Sequence, residues 1–144
     1  MPRGDADGTV MTWNIAIKWI MLASGGLTAT VVYAAIAPEA AMRSTFGEAL
    51  DGALAEIIVR NWGVLVGLMG AMLIYGAYHP NVRPLVLIVA GVSKLVFIGL
   101  VLLFGRQYFA KAGLAIGIDL VTVGLFIAYW LRTRHVQGPA DTVA

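Results

Sequence analysis

Lys94 and Asp119 are the two residues of this sequence best placed to do chemistry, because each carries a charge inside an otherwise apolar stretch. Lys94 lies at the centre of residues 85–105, a stretch long and apolar enough to cross a bilayer as a helix. A lone ammonium at that depth costs roughly 2.5–3.5 kcal/mol, so it requires water, a partner or a route to the interface. Asp119 is the only carboxylate inside another apolar stretch. The first question is therefore whether the two side chains meet.

The composition indicates a membrane protein and excludes several other classes. The chain has 144 residues, of which 60% are hydrophobic and 12% are charged, against about 25% charged in a typical soluble domain. A net charge of +2 is too small and too scattered for a nucleic-acid partner. The absence of cysteine excludes disulfides, thiolate metal sites and cysteine catalysis. His79 and His135 lie at or outside the edges of the apolar stretches, so we predict no haem, other cofactor or metal site.

Four apolar stretches predict an all-α integral membrane protein built as a four-transmembrane-helix bundle. The spans are predicted at about residues 13–37, 57–78, 84–105 and 112–131, within a domain of residues 13–132. Residues 1–12 and 133–144 are predicted to be polar tails. A cleaved signal peptide is the alternative for the first stretch, because residues 35–37 have an A-x-A shape. Pro38 directly after that site disfavours cleavage.

Residues 38–56 form a short amphipathic segment between the first two spans. Apolar residues recur there every four positions, which places them on one face of a helix: Met42, Phe46, Leu50 and Leu54. We expect one or two short helices that lie in the interface or cap the bundle. The alternative function for this segment is a lid over a ligand.

Depth along the helices predicts an ion pair between Lys94 and Asp119. The short connection between the third and fourth spans makes these helices antiparallel neighbours. Lys94 lies roughly 16 Å below the end of the third span, and Asp119 lies roughly 10 Å below the start of the fourth. The difference of about 6 Å is within reach of an extended lysine side chain.

Three further polar residues lie at the start of the second span. They are on the side of the membrane where the third span ends and the fourth begins, which we call the far side because it is opposite the two termini. Glu56, Arg60 and Asn61 lie at or above the depth of Asp119, so the five residues form a candidate polar cluster in the far half of the bundle. One interpretation is a self-neutralising network that fixes helix register. The other is a small-ligand or ion site that opens to the far side.

Two pairs of glycines with G-x-x-x-G spacing predict close helix packing. They are Gly63 and Gly67 in the second span and Gly113 and Gly117 in the fourth. Small residues at this spacing allow a second helix backbone to approach, within the chain, in a homo-oligomer or in a membrane-protein partner. Sequence signatures of zinc proteases, P-loops and nucleophile elbows are absent.

Four spans place both termini on one side of the bilayer, and the basic residues suggest which side. Five of them fall on the terminal side: Arg3, Lys18, Arg83, Arg132 and Arg134. Four fall on the far side: Arg43, Arg60, Arg106 and Lys111. The excess predicts cytoplasmic termini.

Several short motifs follow one another in the order found in a family of small bacterial membrane proteins. They are Ala37-Pro38-Glu39, Thr45-Phe46-Gly47, residues 55–63 (AEIIVRNWG) and residues 90–97 (AGVSKLVF). In this order, across about residues 12–132, the chain resembles the DoxX-like and BphX-like four-span proteins. The resemblance implies a four-helix bundle in the bacterial inner membrane, and it implies no catalytic residue.

The sequence therefore favours an integral membrane protein that acts as a non-enzymatic accessory or assembly component, with a buried Lys94–Asp119 pair. The alternative is binding or transport of a small molecule or ion through the polar cluster. An enzyme acting on a membrane lipid or quinone has the weakest support.

Overall fold

The computed structural model describes residues 4–136, with side chains for residues 11–132. Within that range every regular element is helical. The α-helices are α1 (Gly4–Ala29), α2 (Pro38–Phe46), α3 (Ala53–Tyr78), α4 (Arg83–Phe104) and α5 (Phe109–Val136). Two 3-10 helices join them, one at Thr30–Ala35 after α1 and one at Arg106–Tyr108 before α5.

Four segments are long and apolar enough to cross a membrane, as the sequence predicted. They are Met11–Ala35, Ala53–Tyr78, Arg83–Phe104 and Arg106–Arg132. The four long helices alternate in direction and close into a ring in the order α1, α3, α4, α5. The contact between α1 and α3 is the most extensive, and the contact between α1 and α5 is the least extensive of the ring. This ring has its weakest seam between its first and last helices.

The main core fills the terminal half of the bundle, on the side of the two termini. Its buried members come from all four long helices: Ile17, Met21, Leu73, Ala77, Val86, Leu87, Ala90 and Phe126. The outward faces of the same helices expose leucine, isoleucine and valine along their length. Apolar side chains inside and outside together are the pattern expected of helices surrounded by lipid.

Glycines bring α1 and α3 into backbone contact. A Cβ atom on Gly70 would collide with the backbone of Ala29 and would lie 2.6 Å from the carbonyl oxygen of Gly25. Gly63 and Gly67 face the end of the first span in the same way, at Ala34 and Val32. The first G-x-x-x-G motif therefore packs within the chain. A Cβ on Gly117 would meet nothing within 4 Å, so that face of α5 is open.

The first span ends where Pro38 requires it to end. The residue before a proline is disfavoured in the helical conformation, and Ala37 is at φ −126° and ψ 71°. The last turns tighten into the 3-10 helix Thr30–Ala35, and Pro38 occupies the first turn of α2. The chain thus turns at the far side and lays α2 across the end of the bundle, against the 3-10 helix, α3 and α5.

The boundaries differ from the sequence predictions at both ends of the chain and in the amphipathic segment. The predicted tail of residues 1–12 is helical from Gly4, because lengthening an established helix adds a hydrogen bond for each residue fixed. The amphipathic segment contains one separate helix, α2, which ends at Gly47 with φ 86°. Leu50 and Leu54 lie beyond that break and are 56% and 70% exposed, so the four-residue stripe is interrupted after Phe46. The predicted C-terminal tail of residues 133–144 begins as helix, because α5 continues to Val136, and residues 137–144 lie outside the described residues.

Candidate functional site

The structure brings Lys94 and Asp119 together between α4 and α5. The ammonium of Lys94 donates to Oδ1 of Asp119 in an ion pair, and the two side chains are only 11% and 18% exposed. The same ammonium lies 3.4 Å from the hydroxyl oxygen of Thr28, near the end of α1. One cation therefore links three helices of the ring.

A cavity of about 360 Å³ lies directly beside this pair, in the far half of the bundle. All four long helices and the amphipathic segment contribute to its walls. Its large apolar walls come from Trp62, Val66, Met69 and Phe97, while Lys94, Asp119 and a few hydroxyl groups form its polar surface. The lining is thus mostly apolar with a charged pair at one place. That combination is typical of sites for small organic molecules.

The cavity borders the seam between α1 and α5, where part of its lining is exposed. In the terminal half these helices are held together, since Ile17 and Met21 of α1 share the main core with Phe126 of α5. In the far half, Leu27 of α1 and Leu114 of α5 line the cavity and are 51% and 78% exposed. Their exposure at this depth places this part of the lining on the apolar flank of the bundle.

The far end of the cavity is covered by α2. Thr45 lines the cavity, and Phe46 inserts among aromatic rings from three other elements. The centroid of the Phe46 ring lies 6.4 Å from those of Trp62 and Phe97 and 5.7 Å from that of Tyr108. These contacts make α2 a cap on the bundle that also forms the outer wall of the cavity.

Arg60, Glu56 and Asn61 do not join the Lys94–Asp119 pair. Arg60 donates to the backbone oxygens of Ala35 and Ile36, at 2.6 and 3.4 Å, and lies 3.8 Å from Glu56. Glu56 lines a separate depression at the far surface between α2 and the start of α3. Asn61 is exposed. The five-residue cluster predicted from depth is therefore divided into a central pair and a surface group.

Three arginines near span ends share one structural role. Each binds carbonyl oxygens that the C-terminal end of the preceding span leaves without helical partners. Arg60 does so for the first span, Arg83 for α3 through Gly76 and Ala77, and Arg106 for α4 through Leu102. Positive charge is also favourable at a helix C-terminus. Lys94 differs from these arginines because its strongest partner is a carboxylate and its neighbour is a cavity.

Two polar contacts were missed in the sequence. Thr28 lies about as far from the end of its span as Asp119 does from the start of its own, so the depth argument would have found it if applied to the first span. The second is Asn14, whose side-chain oxygen accepts from Arg83 at 3.4 Å and from the Tyr129 hydroxyl at 3.3 Å. It joins α1, α4 and α5 in the terminal half.

Comparison with protein-family models, curated proteins and solved structures found no match to this chain. The candidate site is therefore defined by its geometry alone. It offers a cationic hydrogen-bond donor, a carboxylate acceptor and an apolar chamber, and it can hold and orient a small molecule.

Proposed function

We propose that this chain is an integral membrane protein that binds a small, mostly apolar molecule among its helices. The observation that supports this proposal is the cavity beside Lys94 and Asp119. Its volume of about 360 Å³ lies within the range of roughly 300–1,000 Å³ that small-molecule sites occupy. A charged pair is costly at such depth, and ionisable groups within membrane spans commonly mark functional sites.

The membrane we propose is the bacterial inner membrane, with both termini in the cytoplasm. The four candidate spans support multi-pass insertion, and the resemblance to DoxX-like and BphX-like proteins supports the bacterial inner membrane. The small excess of basic residues on the terminal side supports the orientation. Attaching a reporter enzyme that is active only in the cytoplasm to the C-terminus tests it, and an inactive reporter on a well-expressed fusion contradicts it.

Trp62 provides a direct test of binding, because its indole lines the cavity. We would replace Trp13, Trp19 and Trp130 by Phe, place the protein in lipid nanodiscs and titrate with 1-bromooctane, whose bromine quenches indole fluorescence. Occupation of the cavity predicts quenching of Trp62 that saturates as the probe concentration rises.

Two alanines provide matched variants for this test. Ala115 lines the cavity, whereas Ala71 is exposed on α3 and does not line it. Ala115→Phe should abolish the saturable quenching by filling the chamber, and Ala71→Phe should leave it unchanged. Quenching that rises linearly with probe in all three proteins would show only partition into lipid and would overturn the proposal.

An accessory or assembly component remains the second candidate function, and a different observation favours it. The Lys94 ammonium contacts both Asp119 and Thr28, so it fixes α1, α4 and α5 relative to one another without a ligand. The open face of α5 at Gly117 is where a second copy or a membrane-protein partner would pack. Gly117→Leu should then shift the size distribution in mild detergent, and an unchanged distribution counts against this face.

A further inference from the structure

We infer that the ligand is an uncharged amphiphile that enters from the bilayer and places a carbonyl or hydroxyl oxygen on the ammonium of Lys94. This inference rests on the proposed binding function and specifies the class of molecule bound. Three properties of the site carry it: its net charge, its remaining donor capacity and the exposed apolar residues at the seam beside it.

The net charge of the site favours a neutral ligand. Lys94 and Asp119 cancel each other within a surrounding of low polarity, and no other ionisable side chain lines the cavity among the described residues. A carboxylate or phosphate ligand would leave an uncompensated negative charge in that chamber. Unpaired buried charge is costly because the low local dielectric removes the solvation that water would supply.

The ammonium retains capacity for one further acceptor. Lysine carries three donor hydrogens. Among the described residues, Asp119 and Thr28 accept from this ammonium, which leaves one hydrogen for an oxygen on a bound molecule. The hydroxyl of Thr30, which also lines the cavity, already donates to the backbone oxygen of Leu27 at 2.6 Å. The hydroxyls of Thr28, Thr45 and Ser93 also line the cavity, but Lys94 is its one charged donor among the described residues, and hydrogen bonds from a charged donor are the stronger ones.

The exposed apolar residues at the seam between α1 and α5 favour a ligand that is soluble in lipid. This seam is bordered by Leu27, Leu114 and Ile118, which are 51%, 78% and 39% exposed. These residues lie within the helices long enough to span the membrane, whereas α2 covers the far end. A molecule whose apolar tail extends out through this seam keeps its tail in hydrocarbon and its oxygen at Lys94.

The test uses three brominated probes of equal chain length and measures how each quenches Trp62 fluorescence in nanodiscs. Each probe concentration is expressed as the concentration dissolved in the bilayer, so that differences in partition into lipid do not count as differences in binding. A bromoalkyl methyl ketone should bind about tenfold more tightly than the bromoalkane, the effect of a net hydrogen bond of ~1.4 kcal/mol to a charged donor. The corresponding bromo-carboxylate, measured at a pH where it is ionised, should bind more weakly than the ketone.

Asp119→Asn should reverse the preference between the ketone and the carboxylate. The amide oxygen of Asn can still accept from Lys94, but the site then carries a net positive charge that a carboxylate would neutralise. We expect the carboxylate probe to become the tighter ligand in this variant. The double variant Lys94→Met/Asp119→Leu removes the pair without leaving a charge, and in it the ketone should bind no better than the alkane.

The outcomes separate this inference from the proposed binding function. Two results would show that Lys94 does not hold the ligand, and the inference would then fail. One is that the alkane and the ketone bind the wild-type protein with equal affinity. The other is that the ketone still binds more tightly than the alkane in the double variant. The binding function then still stands, because the cavity is occupied. Preference of the wild-type protein for the carboxylate would overturn the inferred neutrality. If no probe saturates, the binding function and this inference fail together. Should Asp119→Asn not fold, the double variant alone decides the role of Lys94.

Discussion

Arg83 and Lys94 lie on the same helix, and each points its charge into the bundle. Arg83, in the first turn of α4, is 4% exposed and donates to the backbone oxygens of Gly76 and Ala77 at 3.3 and 3.1 Å. Lys94, in the middle of α4, pairs with Asp119 beside a cavity. The first charge lies in the half that the main core fills, and the second lies beside the cavity of the far half.

The difference follows from which backbone groups are available at each depth. The last carbonyls of a helix have no partner within the helix, so a cation at a span end can bind them without a second charge. In the middle of a span every carbonyl already accepts from the helix itself. A cation there needs a side-chain partner, which for Lys94 is Asp119. A mid-span charge pair therefore indicates a requirement beyond helix capping, and we propose that this requirement is ligand binding in the adjoining cavity.

Breaking the Lys94–Asp119 pair should give the largest loss of stability. Asp119→Leu alone leaves the ammonium buried without its anion, and we expect a cost of about 4 kcal/mol, as for other broken buried pairs. Lys94→Met combined with Asp119→Leu should cost far less, because no charge remains. Unfolding in a mixed-detergent titration measures each free energy. Additive effects of the two substitutions would contradict the coupling that the geometry implies.

A large side chain in the glycine contact between α1 and α3 should give the second-largest loss of stability. Gly70→Leu must push the Ala29 backbone away, and we expect a loss of about 3 kcal/mol, at the upper end of overpacking in a close-packed interior. Gly124→Leu is the matched control, because its Cβ meets no atom of the chain within 4 Å. The same unfolding titration compares them. Equal losses would show that the α1–α3 contact is looser than the structure indicates.

The sequence carries enough information for the helices and for their depths. Uninterrupted apolar stretches set the spans within a few residues, and Pro38 marks the end of the first. Counting residues along two antiparallel neighbours was sufficient to predict that Lys94 could reach Asp119. These properties depend on position along a helix axis, which the sequence gives directly.

The sequence does not give the direction in which each side chain points around its helix. Arg60 has the depth required to join Asp119, yet it turns to the end of the first span, while the adjacent Val59 is buried. The cavity could not be predicted from the sequence either, because its existence depends on how far α1 and α5 separate in the far half. Helix orientation and separation are set by packing of the whole bundle, so no local pattern predicts them.

Removing the Arg83 cap should cost less than breaking the ion pair, because no charge is left behind. Arg83→Met leaves the carbonyls of Gly76 and Ala77 and the side chain of Asn14 without the guanidinium. We expect a loss of about 2 kcal/mol, the usual cost of buried acceptors that lose their donor. Trp62 quenching by the cavity probes should remain, since Arg83 lies in the other half. Loss of probe binding with little loss of stability would show that the Arg83 contacts and the cavity are coupled, although they lie in different halves of the bundle.

The exposed pair Arg43–Glu39 on α2 should show the smallest effect of all. Nε and Nη2 of Arg43 lie 3.1 and 2.9 Å from Glu39 Oε1, a geometry at least as good as that of the buried cap, but both side chains are about two-thirds exposed. Water solvates the separated ions nearly as well as they solvate each other, so Arg43→Met should change stability by less than about 0.5 kcal/mol. A loss as large as that of Arg83→Met would mean that α2 holds the bundle closed through this pair. In that case burial would no longer explain why the charges of this protein differ in importance.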